Sequence, residues 1–96
     1  MSAGWLVQYR AANGAQMVTR HDSRREAFEV CADGLFATAL RLWGLGGPAN
    51  VRMGDILIRH AIRLTAEAEM ESQDTESGDG YLLRLSEGRR WVVCPA

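Results

Sequence analysis

The sequence predicts a single α+β domain: an antiparallel five-stranded sheet in the order β-β-α-(α)-β-β-β, with one long helix packed across one face. Three observations predict it. Apolar residues recur at helical spacing from about 24 to 43, between two short runs that read as strand hairpins. Residues 62–71 alternate apolar and polar, the period of a half-buried strand. The 96 residues, 47% apolar and 24% charged, suit one soluble domain with a real core.

Trp5 to Arg10 reads as the first strand and Gln16 to His21 as its antiparallel partner. Asn13-Gly14 in the turn supplies the positive φ values of a tight hairpin. Ser23-Arg24-Arg25-Glu26 is a capping box: the Ser23 hydroxyl accepts from the Glu26 amide and the carboxylate reaches back. The helix then runs to about Trp43, with Phe28, Cys31, Ala32, Leu35, Ala39 and Leu42 as its apolar stripe. Gly34 within it points to close packing on the sheet, and Gly44-Leu45-Gly46-Gly47-Pro48 stops it.

Met53 to Arg59 reads as a short second helix leading into a strand over 62–70, with Ile62, Leu64, Ala66, Ala68 and Met70 on its buried face. A helix over 53–68 competes, because Leu57, Ala61, Leu64 and Ala68 also fit helical spacing. The strict alternation favours the strand, as does the like-charge pair that a helix would make of Glu67 and Glu71. After an acidic loop over 73–80, Tyr81 to Leu85 and Arg90 to Cys94 are the last strands, joined by a turn at 86–89.

Charge is unevenly spread. Residues 1–63 hold eight arginines and five acids (+3), residues 64–80 six acids and no base (−6), and residues 81–96 three arginines and one acid (+2). There is no lysine. The acidic strand and loop, Glu67, Glu69, Glu71, Asp74, Glu76 and Asp79, present a carboxylate ladder suited to a basic protein surface. The alternative is a nucleic-acid interface in which Arg24, Arg25, Arg89 and Arg90 hold phosphates beside the strand aromatics Trp5, Tyr9, Tyr81 and Trp91.

Catalysis has no motif. The glycines at 44–47 follow a helix and lack the lysine of a phosphate loop. Cys31, His60 and Asp55 have no spacing that unites them as nucleophile, base and orienter. His21 and His60 with Cys31 and Cys94 lack metal-ligand spacing. The reading is therefore non-enzymatic, with no metal or cofactor. The cysteines read as two buried free thiols. No apolar run approaches the ~20 residues of a membrane span, and with no signal peptide the expected location is the cytoplasm of a host cell.

Gly88-Arg89-Arg90-Trp91-Val92-Val93-Cys94 resembles the closing strand of small phage anti-CRISPR proteins. In those, a turn glycine precedes two basic residues, tryptophan, valine and, one residue on, cysteine. The order of a hairpin, a helix and a final meander is also similar. The resemblance implies a non-catalytic inhibitor that binds a CRISPR–Cas surveillance complex and leaves the target system and the surface open; the acidic strand and loop would then occupy a basic, nucleic-acid-binding surface of that complex and block nucleic-acid access. This chain departs from the pattern in its longer helix, its extra segment over 45–60, its acidic loop and its lack of lysine, so no binding residue carries over.

Overall fold

The structure is a computed structural model that describes residues 4–70 and 80–96. Its elements are β1 (Trp5–Arg10), β2 (Gln16–His21), α1 (Arg24–Leu45), α2 (Pro48–Met70), β3 (Tyr81–Arg84) and β4 (Arg90–Pro95), with a short 3-10 turn at Ser86–Gly88. The α+β class holds, with an antiparallel sheet of four strands in the order β2-β1-β4-β3 and two long helices. The expected fifth strand is helix, and the single long helix is one arm of a helical hairpin.

The β1–β2 connection is a three-residue loop. The Gly14 amide donates to the Ala11 carbonyl at 3.0 Å, and the Ala11 amide to the Ala15 carbonyl at 2.8 Å. Gly14 takes φ 88° while Asn13 does not adopt positive φ, so this is a turn with a glycine bulge in which only Gly14 has the positive φ expected of both. Asn13 contributes its Oδ1, which accepts from the Ala15 amide at 2.9 Å. The Ser23 hydroxyl accepts from the Glu26 amide at 3.1 Å, starting α1 where expected. The Glu26 carboxylate lies 3.2 Å from His21 Nδ1 and so ties the helix to the end of β2. Gly46 at φ 76° ends α1, its amide donating to the Leu42 and Trp43 carbonyls. Pro48 then takes the first position of α2, where its missing amide costs nothing.

Residues 62–70 are the main correction. They belong to α2, whose buried residues are Gly54, Leu57, Ala61, Leu64 and Ala68, a helical stripe against α1. Ile62, the first member of the presumed strand face, is 57% exposed, while Leu64 is fully buried. Magnitudes explain the outcome. A like-charge pair one helical turn apart costs only ~0.2–0.5 kcal/mol. Fully burying Leu57 and Leu64 contributes ~1.5–3 kcal/mol each. Within the same helix Arg63 Nε lies 3.7 Å from Glu67 Oε1, an attractive pair one turn apart.

α1 lies on one face of the sheet and α2 packs on α1. Phe28, Cys31, Leu35, Leu57, Leu64 and Val93 are the largest fully buried side chains of the core, with Trp5, Val7, Leu83 and Trp91 closing it on the sheet side. Of the expected α1 stripe, Leu42 alone is only half-buried. Among the described residues no helix lies on the opposite face of the sheet.

Candidate anion-binding face

Strand register decides what that helix-free face displays. Trp5, Val7 and Tyr9 point toward α1, so Leu6, Gln8 and Arg10 point away. Trp91 and Val93 face the core, so Arg90, Val92 and Cys94 share the open side, and Leu82 and Arg84 flank Leu83 on it. Arg10 pairs directly with Arg90 across β1–β4, and Arg90 with Arg84 across β3–β4. Three arginines on adjacent strands therefore stand in one row, completed on β2 by Gln16, the partner of Arg10. Neighbouring strands lie about 4.8 Å apart, so the row runs roughly 10 Å from Arg10 to Arg84. The next row is Val18, Gln8, Val92 and Leu82, and no acidic residue lies on these strand positions.

Arg10, Arg84 and Arg90 are all exposed, and none pairs with a carboxylate among the described residues. Arg89 joins them at the edge, where with Arg10, Arg84, Arg90, Leu85 and Gly88 it lines a groove of about 300 Å³. The turn holds Arg89 in place: its Nε and Nη2 donate to the Ser86 carbonyl and hydroxyl at 3.4 Å. Like charges directly opposite on a sheet repel, and with no carboxylate among the described residues to relieve them an external anion is favoured. Guanidinium forks match phosphate oxygens two at a time.

The structure divides the residues singled out in the sequence. Arg89 and Arg90 belong to this face. Arg24 and Arg25 do not: Arg24 lies over the Phe28 ring at 4.1 Å with Nη2 3.9 Å from Glu67, and Arg25 pairs with Glu29 at 3.1 Å. The aromatics expected beside the arginines face α1, where Trp5 and Trp91 are buried and the Tyr9 and Trp91 ring centroids lie 4.5 Å apart. Glu67 and Glu69 sit on α2, so there is no strand ladder of carboxylates, and Glu67 is engaged by Arg24 and Arg63. Glu71, Asp74, Glu76 and Asp79 lie outside the described residues.

Compared with protein-family models, curated proteins and solved structures, the chain gives no match in any of the three.

The candidate nucleophile and base do not assemble. Cys31 is fully buried in α1, and burial pushes its thiol up to about 12, where it is inert at neutral pH. His60 Nδ1 instead meets the Tyr81 hydroxyl, joining α2 to β3. Burial, then the nearby Arg63, lowers the His60 pKa, and burial is the main cause raising that of Tyr81. Cys94 is free like Cys31 but only half-buried, correcting the expectation of two buried thiols. Among the described residues no three of His, Cys, Asp and Glu cluster as a metal site, and no helix is long and apolar enough to cross a membrane.

Sequence reasoning missed Arg10 and Arg84. Arg10 meets Arg90 only through the pairing of β1 with β4, far apart in sequence, which leaves no local signal, whereas Arg84 meets it across the local β3–β4 hairpin.

Proposed function

We propose that this chain is a non-catalytic binding module that holds the phosphate backbone of a nucleic acid on the open face of its sheet. The in-register row Arg10–Arg90–Arg84, on strand positions that carry no acid among the described residues, supports this reading. With Arg89 it offers four guanidinium groups to successive phosphates, and the row of Val18, Gln8, Val92 and Leu82 behind it lies where sugars would rest. No aromatic side chain projects from the strands on this face, so binding is led by phosphate contacts, with little base discrimination.

The inhibitor reading rests on the closing-strand resemblance and on an acidic surface of which only Glu67 and Glu69 lie among the described residues. The arginine row supports the nucleic-acid reading more directly. The test is fluorescence anisotropy of labelled oligonucleotides against the wild type and a triple variant with Arg10, Arg84 and Arg90 changed to glutamine. Binding by the wild type and its loss in a folded triple variant are expected.

A further inference from the structure

β2 is an outer strand of the sheet, and among the described residues no strand pairs with its far side. The two strand registers fix which of its backbone groups face that side. In antiparallel strands, pairs that exchange backbone bonds alternate with pairs that do not. The Ala11 amide donates to the Ala15 carbonyl at 2.8 Å, so the bonded pairs along β1–β2 are Tyr9–Met17, Val7–Thr19 and Trp5–His21. β1–β4 gives the complementary set. The Ala96 amide donates to the Gly4 carbonyl at 3.0 Å, which makes Leu6–Cys94, Gln8–Val92 and Arg10–Arg90 the bonded pairs. Pro95, with no amide hydrogen, falls opposite Trp5 in a non-bonded pair, as this alternation requires. The amides and carbonyls of Gln16 and Val18 therefore point away from β1, toward the open edge.

The side chains leave this edge open as well. α1 packs on β4 through Gly34 and Trp91, two strands in from β2. Met17, on the helix side of β2, is 60% exposed, and Val18, on the other side, is 54% exposed. The six residues of β2 include no proline, and its register with β1 runs without a bulge. β3, at the opposite edge, has only four residues.

We infer that a second copy of this chain adds at β2, the two β2 strands running antiparallel about a two-fold axis at Val18. In this register β2 is complementary to itself. Val18 stands opposite Val18 of the partner subunit and exchanges both backbone bonds with it. Met17 stands opposite the partner's Thr19. Gln16 stands opposite the partner's Arg20, so the arginine of the strand meets an uncharged amide and not its own copy. Residues that face the same way pair with each other, so the helices of both copies lie on one side of a continuous sheet and both arginine rows on the other. The helices stand clear of the axis, because each α1 is seated over β4. One added strand pair buries little area, which places the association in the weak, concentration-dependent class.

Sedimentation equilibrium of the full chain from about 1 μM to about 1 mM reads the association without any nucleic acid present. The weight-average mass is expected to rise from 10.6 kDa toward twice that value. Over the same range, hydrogen exchange of the Val18 amide should slow as the dimer fills. Val18→Lys sets like charges face to face at the axis and should hold the mass at the monomer value at every concentration, with an unchanged circular dichroism spectrum because the site is exposed. Val18→Pro removes the edge donor while sparing the bonds to β1, and should act the same way. Three results would each overturn the inference: a wild-type mass that stays at the monomer value throughout, a dimer that survives Val18→Lys, or a dimer whose Val18 amide exchanges as fast as that of the monomer.

Discussion

Gly34 of α1 lies against the Trp91 ring of β4 so closely that a β-carbon at Gly34 would stand 3.0 Å from Cζ3 and nearer still to Cη2. This contact sets how closely α1 approaches the sheet. Trp91 is buried and packed against the tilted ring of Tyr9, so it cannot swing aside. Gly34→Ala should therefore lower stability, because overpacking of ~1–3 kcal/mol opposes a helix-propensity gain of ~1 kcal/mol. Gly54 provides a contrast. A β-carbon there meets Trp43, a side chain 39% exposed that can turn outward at the loss of one hydrogen bond. Gly54→Ala should be near neutral, within ~1 kcal/mol. Urea denaturation of the two variants measures the difference.

Helix and strand predict opposite results at Ile62. A strand would bury Ile62 and Leu64 on one face, whereas α2 buries Leu64 completely and leaves Ile62 57% exposed. Leu64→Ala should cost ~2–5 kcal/mol, and Ile62→Ala under ~1 kcal/mol. Similar large losses at both sites would contradict the helix.

This segment also shows how much of the fold was legible in the sequence. The first hairpin and α1 announce themselves through Asn13-Gly14 and Ser23, because turns and caps are local chemistry. In α2 the small residues Ala61, Ala66 and Ala68 fit either period, so only Ile62, Leu64 and the charges could decide, and the charges were given more weight than a few tenths of a kcal/mol warrants. Arg89 and Arg90 were visible as a basic pair. Arg84 stands opposite Arg90 within the local β3–β4 hairpin, but the addition of Arg10 depends on pairing β1 with β4, which no local pattern signals.

The contact of His60 with Tyr81 gives a pH signature. The folded state lowers the His60 pKa below its ordinary 6.5, so the unfolded chain takes up the proton first as pH falls. The contribution of His60 to stability is complete above pH ~6.5 and declines as pH drops below it. Tyr81, with its pKa raised above the ordinary 10, has the opposite sign: its contribution is complete below that value and is lost as pH rises past it. Thermal melts across pH 5–8 should show a fall in Tm on the acid side that His60→Gln reduces. An unchanged profile in that variant would show that His60 is not the group responsible.

Thiol reactivity should separate the two cysteines. Cys31 is fully buried with its thiol pushed up to about 12, so in native protein it should label at the rate of unfolding. Cys94, half-buried on the open face, should label sooner. Mass spectrometry of peptides after timed alkylation reads both.

The salt dependence of oligonucleotide affinity tests the role of the arginine row most directly. For a single strand, log K falls with log salt at a slope of about −0.7 per phosphate neutralised. Replacing Arg10, Arg84 and Arg90 with glutamine should weaken binding for every sequence tried and flatten the slope by about 2, three contacts' worth. A triple variant that is folded and binds with unchanged affinity and slope, or a wild-type protein that binds no oligonucleotide at low salt, would contradict the account.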